Sequence, residues 1–498
     1  MRRSFGRLQT ALGYVGFILV VLAPLLLVPL VLSFLLHEGA WQDVRAGTYV
    51  IPMLISLLIG SACWMYVLGP ASKRQMGTIE AMLICLLSWV AVSAVGAIPF
   101  TYELDVSYLD AYFEAMSGFT TTGITMLSGL DDMPRSLLFW RSMTQWIGGL
   151  GILTFFLVVV YQGGLSHTLF TAESHKITGK RIAPGMWHTL KILWLIYVLY
   201  TLAVTGGLLL CGVDLYDSVS HAFTCLSTGG YSPYDASIAH YEEARYAHHA
   251  IIEYIIIAGM WAGGTNFLIH YRLLTGRLRA LWDSDEMRMW WIMLGGALAL
   301  ILGARLAAVP GSRFGESFRH SLFQVTAIAS TTGYATRDIA GEYFTPLARQ
   351  VFLVLMVVGG CAGSTGGGLK VIRIVILWKL MVRQIRRAVT PPSELRLVLV
   401  DGKAVERDEA YRTAALFFAW LFLLLLGSLT TAALSPHGAL ASSSGMFSAL
   451  GNIGPCYIAI GDIALLHPVI KIVYILGMLA GRLEIVPLLI LFSRRTWR

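Results

Sequence analysis

Apolar positions fill this chain in runs too long and too continuous to be one face of a soluble helix. The first, ALGYVGFILVVLAPLLLVPLVLSFLL at 11–36, exceeds the roughly 20 apolar residues that cross a hydrocarbon core of about 30 Å. Ten such stretches predict membrane spans at about 11–36, 47–69, 79–99, 136–161, 186–211, 248–271, 287–309, 345–380, 411–434 and 466–493. Four further stretches lie between spans three and four, five and six, seven and eight, and nine and ten. They read DAYFEAMSGFTTTGIT (110–125), DSVSHAFTCLSTGGYS (217–232), SLFQVTAIASTTGYAT (321–336) and SSSGMFSALGNIGPCY (442–457). Apolar segments of about ten to fourteen residues are too short to cross and read as re-entrant.

Each short stretch ends in a polar turn, and the glycines Gly123, Gly229, Gly333 and Gly451 recur at intervals of a little over a hundred residues. The pattern predicts one unit repeated four times: helix, short re-entrant helix, polar turn, helix. The expected fold is an all-α polytopic membrane protein with four pseudo-repeated helix/re-entrant pore loop/helix units around one pore. An N-terminal helix pair occupies 1–74, and the repeats fall at 75–183, 184–283, 284–390 and 391–498.

Composition fits this reading, with 56% hydrophobic and 13% charged residues, about half the charge of an average soluble domain. The net charge of +8 sits in basic clusters at Arg2/Arg3/Arg7, Lys73/Arg74, Lys176/Lys180/Arg181, Arg272/Arg277/Arg279, Arg383/Arg386/Arg387 and Arg494/Arg495/Arg498. They follow every second span, the positive-inside pattern. Both termini are therefore expected to be cytoplasmic, the four turns external, and no nucleic-acid partner is implied. The first apolar run is too long for a cleaved leader. The six cysteines are scattered without a CxxC pair, so buried free thiols are expected.

Backbone that is neither helix nor closed sheet is tolerated at membrane depth only when buried in protein or lining a wet cavity. Four such turns on one side are expected to meet around one axis. There their carbonyls can replace the hydration shell of a cation, as four TVGYG loops do in potassium channels. Thr331, Thr332, Gly333, Tyr334 and Ala335 match TVGYG at three positions, and Thr121, Thr122, Gly123, Ile124 and Thr125 match at two. The candidate filter is completed by Ser227, Thr228, Gly229 and Gly230, and by Leu450, Gly451 and Asn452. Asp110 and Asp217 are expected N-caps of their short helices. Asp131/Asp132, Asp235, Asp338 and Asp462 follow the turns, as cation-focusing or simply solvated acids.

Residues 359–368 hold six glycines, each costing a helix about 1 kcal/mol relative to alanine. Gly359, Gly360, Gly363, Ser364, Thr365, Gly366, Gly367, Gly368 and Lys370 are expected to form a break in the eighth span. Lys370 is not in a GK[ST] arrangement and no strand precedes it, so a phosphate loop is excluded. At about 1.5 Å per residue, Gly359 lies roughly 21 Å into the membrane, beneath the filter. Arg482 lies at similar depth, where a charge costs at least about 2.5 kcal/mol. It is expected to act as a barrier and tether, or to pair structurally with Glu484 or loop carbonyls. Gly148, Gly149, Gly263 and Gly264 are assigned to close helix packing.

The turns TTTGIT, STGGYS, STTGYAT and ALGNIGPCY, the segment GGCAGSTGGGLKVIR (359–373) and the terminal AGRLEIVPLLILF (480–492) resemble the Trk/Ktr/HKT superfamily of potassium transporters. The N-terminal helix pair makes the chain most similar to the bacterial TrkH-type subunits. The resemblance implies potassium uptake across a bacterial inner membrane, with the glycine-rich segment and Arg482 as the gate. It implies K⁺ as the transported ion, held at the filter residues, with no covalently bound cofactor. It also implies a homodimer in lipid, regulated by a cytoplasmic TrkA-type ring that binds nucleotides. Serine at the first filter glycine favours sodium in this superfamily, so glycine at all four positions implies potassium. Repeat four departs, with Ala449, Leu450, Gly451 and Asn452 lacking threonine, which implies unequal coordination. The alternatives are a sodium or mixed-cation member and a polytopic membrane enzyme. Against the enzyme, no HExxH, GxSxG or paired intramembrane carboxylates occur. His221 and His320 each stand alone in sequence, and Asp401, Glu406, Asp408 and Glu409 fall in a polar internal loop, solvated or docking a partner.

Overall fold

The computed structural model describes residues 2–35, 47–71, 78–162, 186–389 and 397–492. The basic clusters at Lys73/Arg74, Lys176/Lys180/Arg181 and Arg494/Arg495/Arg498 lie outside these residues.

The chain is a mostly helical polytopic membrane protein, and among the described residues the named strands form one small hairpin. Among the described residues six helices are long and apolar enough to cross: Gly6–Leu35, Gly47–Met65, Ile79–Leu104, His188–Leu210, Asp285–Ala308 and Arg407–Leu434. A seventh is obtained if His249–Gly264 and Phe267–Leu274, bent by 111°, count as one. The remaining expected spans are Arg135–Gln162, the pair Pro346–Val357 and Val371–Ala388, and the pair Pro468–Arg482 and Val486–Phe492. Breaks shorten the last two. Leu58, Leu195, Leu202, Phe418, Phe422 and Leu425 stand exposed, as lipid-facing positions must.

Four short helices, Tyr108–Phe119, Leu215–Leu226, Phe314–Ala329 and Ala439–Gly451, are buried along most of their length between the longer ones. Asp110 and Asp217 are not their N-caps. Ser107 and Asp214 are, each accepting the N–H three residues on, which puts the two acids in the first turn. There the helix dipole favours negative charge, and Ser107 Oγ also donates to the Asp110 carboxylate at 2.7 Å.

Between the helices Val371–Ala388 and Arg407–Leu434 a hairpin pairs Leu399 with Ala404 and Val400 with Lys403. It is pinned by reciprocal bonds: Asp285 N–H to Asp401 Oδ1 at 2.6 Å and Asp401 N–H to Asp285 Oδ2 at 2.9 Å. Lys379 Nζ adds bonds to Asp285 Oδ2 at 2.5 Å and Leu399 O at 2.8 Å. The buried Val400 packs with Ile372, Val375 and Ile376. All six cysteines are free.

Candidate functional site

Each short helix closes in the same way. Thr121, Thr228, Thr331 and Asn452 adopt left-handed backbone, with φ of 52°, 55°, 62° and 53°. Their N–H groups donate to the carbonyls three residues back, at Gly118, Cys225, Ile328 and Ala449, and the next N–H groups to Ser117, Thr224, Ala327 and Ser448. This wrapping satisfies helix-end carbonyls that would otherwise be orphaned. Two residues further on a second positive φ falls on glycine each time: Gly123 (83°), Gly230 (75°), Gly333 (82°) and Gly454 (108°).

The backbone therefore corrects the glycine alignment. Gly229 is the counterpart of Thr122, Thr332 and Ile453, and Gly451 is the last residue of its short helix. Two features of the sequence conceal this. STGGYS offers adjacent glycines, and in repeat four Asn452 replaces the left-handed threonine, asparagine being among the few side chains that adopt this conformation readily.

The four turns meet in a closed ring. A Cβ built on Gly123 would lie 2.2 Å from Gly229 O; on Gly230, 1.8 Å from Thr332 O; on Gly333, 1.8 Å from Ile453 O; on Gly454, 3.1 Å from Thr122 O. Each glycine thus abuts the carbonyl just before the counterpart glycine of the next repeat, and the fourth returns to the first. Only residues without a side chain permit so close an approach.

Directly against this ring lies the glycine-rich segment. Gly367 N–H donates to Thr331 Oγ1 at 3.0 Å, and a Cβ on Gly367 would sit 2.4 Å from Asn452 Oδ1. Thr365 Oγ1 donates to Leu226 O at 2.9 Å and Gly263 O at 3.0 Å, and Cys361 N–H to Gly264 O at 2.9 Å. The neck of the loop closes through Gly359 N–H to Leu369 O at 2.8 Å, and Lys370 Nζ donates to Gly366 O. Ala362 N–H is held by Glu286 Oε1 at 2.7 Å, one residue from the hairpin anchor Asp285. Arg482 is buried and donates to Thr365 O at 2.5 Å, Gly148 O at 2.7 Å and Gly149 O at 3.1 Å. Its partners are carbonyls; Glu484 pairs with Arg373 instead. Gly148 and Gly264 do pack tightly, their added Cβ atoms meeting Phe119 O at 2.1 Å and Ser330 Cβ at 2.9 Å, yet their carbonyls also accept from Arg482 and from the Cys361 N–H.

The family model described as TrkH, cation transport protein, matches residues 49–497. The chain belongs to the TrkH family. It is 33% identical over 497 residues to the Trk system potassium uptake protein TrkH of Escherichia coli strain K12, covering 97% of this chain and 98% of that one. The protein of the same name from Halomonas elongata is 29% identical over 504 residues, covering 99% of each chain. The crystal structure of the potassium transporter TrkH from Vibrio parahaemolyticus superposes with a TM-score of 0.86 at 28% identity, covering 99% of this chain and 100% of that chain.

Around this TrkH-family ring stand residues that the sequence reading missed. Glu114, on the first short helix, and Arg141 form a buried ion pair at 2.6 Å. Glu114 also accepts Met126 N–H at 2.8 Å, and Arg141 donates to Ser232 O at 2.9 Å, so the pair staples the chain leaving turn one to that leaving turn two. Gln145 Nε2 donates to Gly229 O at 2.8 Å while its Oε1 accepts Tyr231 N–H at 3.0 Å. Tyr231 and Tyr334 occupy the position after the ring glycine and brace the preceding repeat: Tyr231 OH donates to Glu114 O at 3.0 Å, and Tyr334 OH to His221 O at 3.1 Å. Their counterparts, Ile124 and Pro455, have no hydroxyl. Opposite charges inside two apolar stretches were the available signal for Glu114 and Arg141.

At the mouth, Asp235 Oδ2 accepts the N–H groups of Gly129 and Leu130 at 2.8 and 3.2 Å, and Asp338 Oδ1 accepts Ala340 N–H at 2.8 Å. These exposed acids fasten loops as well as carrying charge. His221 is buried with partners at both ring nitrogens, Asp217 O at 3.0 Å and Ser232 Oγ at 3.2 Å. His320, by contrast, is not alone, facing three carboxylates.

Proposed function

We propose that this chain takes up potassium across a bacterial inner membrane through the four-turn ring, with both termini cytoplasmic. The observation that carries this reading is the closure of the ring, each glycine against the next repeat's carbonyl. Such a ring presents backbone oxygens in cyclic order to an ion on its axis. Glycine at all four ring positions favours potassium over the sodium or mixed-cation alternative, and relatives named as potassium uptake proteins support it. The filter residues are then Thr121 to Ile124, Thr228 to Tyr231, Thr331 to Tyr334 and Asn452 to Pro455.

The gate in this reading is the segment Gly359 to Lys370, held shut by Arg482, whose positive charge also opposes cations below the ring. A homodimer and a TrkA-type nucleotide-binding ring on the cytoplasmic side complete the assembly. Among the described residues the buried acids Glu114, Asp217, Glu253 and Glu286 are each bound, by Arg141, by the Tyr234 hydroxyl, by Arg319 and by the Ala362 N–H. That leaves them poor candidates for proton coupling and favours a gated pore.

The test is expression in cells lacking potassium uptake, with growth at low K⁺ and Rb⁺ flux as readouts. Rescue with Rb⁺ entry is expected; protein in the membrane with neither rescue nor flux refutes the proposal.

A further inference from the structure

Glu316 and His320 lie one turn apart on the short helix Phe314–Ala329, and Glu242 lies on the four-residue helix His240–Glu243 of the preceding repeat. His320 is fully buried, and its Nε2 has no hydrogen-bond partner. That nitrogen is 3.8 Å from Glu242 Oε2, which also lacks a hydrogen-bond partner, and 4.0 Å from Glu316 Oε1. One ligand atom from each residue falls within 4.8 Å of the other two. These gaps are too long for hydrogen bonds. The two gaps to His320 exceed by about half an ångström the roughly 3.4 Å between two ligands held about 2.1 Å from a tetrahedral ion, and the exposed Glu316 carboxylate supplies the remaining approach.

The surroundings favour a cation between the three atoms. His320 Nδ1 meets Thr336 Oγ1 at 3.0 Å, the outer contact that orients a metal-binding imidazole and leaves Nε2 to the ion. Arg337 takes the other oxygen of Glu242 at 2.8 Å, and Arg319 takes Glu253 at 3.0 Å. Arg319 also approaches Glu242 Oε2 at 3.9 Å, and Arg337 approaches Glu316 Oε1 at 3.8 Å. Three carboxylates against two guanidiniums leave one negative charge in the cluster when His320 is neutral. The Glu316 side chain is 44% exposed, which gives the ion a route from solvent and leaves that carboxylate free to close in.

We propose that Glu242, Glu316 and His320 form a binding site for a divalent transition metal, Zn²⁺ or one of similar preference, with a fourth position open to water. A ligand set of one imidazole and two carboxylates suits Zn²⁺, whereas Mg²⁺ and Ca²⁺ take oxygen ligands. Thr336 and Arg337, which touch His320 and Glu242, are the third and fourth residues after Gly333. The ion therefore sits against the strand leaving the third turn of the ring.

The probe is Zn²⁺ alone, titrated into purified full-length protein in competition with a chromophoric chelator, with X-ray absorption at the zinc edge. The expected result is one Zn²⁺ per chain, with imidazole in its shell. Glu316→Gln and His320→Gln should each weaken binding at least about tenfold, while Asp338→Asn binds like the parent. Unchanged affinity in Glu316→Gln, a shell without imidazole, or binding too weak to compete with the chelator overturns the site. Should the buried His320→Gln fail to fold, the half-exposed Glu316→Gln decides alone, with thermal melting confirming that it folds. None of these readouts depends on potassium transport.

Discussion

Gly230→Ala is the sharpest perturbation of the ring. Gly230 has φ 75°, and a left-handed residue with a Cβ costs about 1 to 2 kcal/mol. The added Cβ would stand 1.8 Å from Thr332 O, and a normal carbon–oxygen contact needs roughly 3.3 Å. The Thr332 carbonyl must therefore retreat by about 1.5 Å, which in the proposed filter removes one quarter of a coordinating layer. A loss of 1.4 kcal/mol of preferential K⁺ binding is a tenfold fall in selectivity, and at least that is expected. Gly229→Ala is the matched control, because its φ is not left-handed and the atoms nearest its Cβ belong to the Gln145 side chain, the first at 2.3 Å. Side chains yield more readily than backbone in the ring. The assay is Rb⁺ uptake against Na⁺ competition, with membrane protein quantified in each variant. The clearances rank the series: Gly230 and Gly333 most sensitive, then Gly123, with Gly454 mildest at 3.1 Å. Parental selectivity in Gly230→Ala, or equal damage in Gly229→Ala, refutes the backbone register and the ring argument with it.

Arg482→Ala removes three hydrogen bonds to the carbonyls of Thr365, Gly148 and Gly149; with charged bonds worth about 1.5 to 3 kcal/mol each, basal Rb⁺ flux should rise tenfold or more, and unchanged flux rules out the tether. Glu114→Gln strands Arg141 in the interior, a loss of about 3 to 5 kcal/mol, so thermal melting in detergent should fall by several degrees. The double variant Glu114→Gln/Arg141→Met should regain most of that loss, and no regain would show that the pair is not the source.

Six of the spans and the four short helices were legible because continuous apolarity is a one-dimensional signal, and six glycines in ten residues announce a break by composition alone. The register of turns two and four was not, since STGG and GNIG each offer two glycines and only the backbone reveals which one carries positive φ. The break at Leu483–Ile485 was equally hidden. Glu484 and Ile485 adopt φ of 59° and 67°, conformations that neither residue prefers, held by the Ile485 N–H bond to Ala480 O at 2.8 Å. Only Pro487, near the start of the next helix, hinted at it. The cluster at His320 was invisible because Glu242 reaches it from another repeat.

Placed together, the breaks account for how the proposed gate would work inside a packed membrane protein. Besides the buried Cys361 and Leu369, the loop at 359–370 is held by polar contacts: Phe267 N–H to Gly363 O at 3.1 Å, Arg482 to Thr365 O, Gly367 N–H to Thr331 Oγ1, and Ala362 N–H to Glu286. The neutral bonds among these net about 1 kcal/mol each and the two to Arg482 and Glu286 about 1.5 to 3, so releasing the loop means breaking a short set of discrete bonds rather than repacking an apolar core of interlocked side chains. The same contacts tie it both to the hairpin and to the ring. Glu286 neighbours Asp285, which holds the Leu399–Ala404 hairpin, while Thr331 begins the third turn of the ring. A displacement of the hairpin by a few ångströms would pull first on Asp285, then on the Glu286 bond to Ala362. The loop would thus yield before the helices on either side of it.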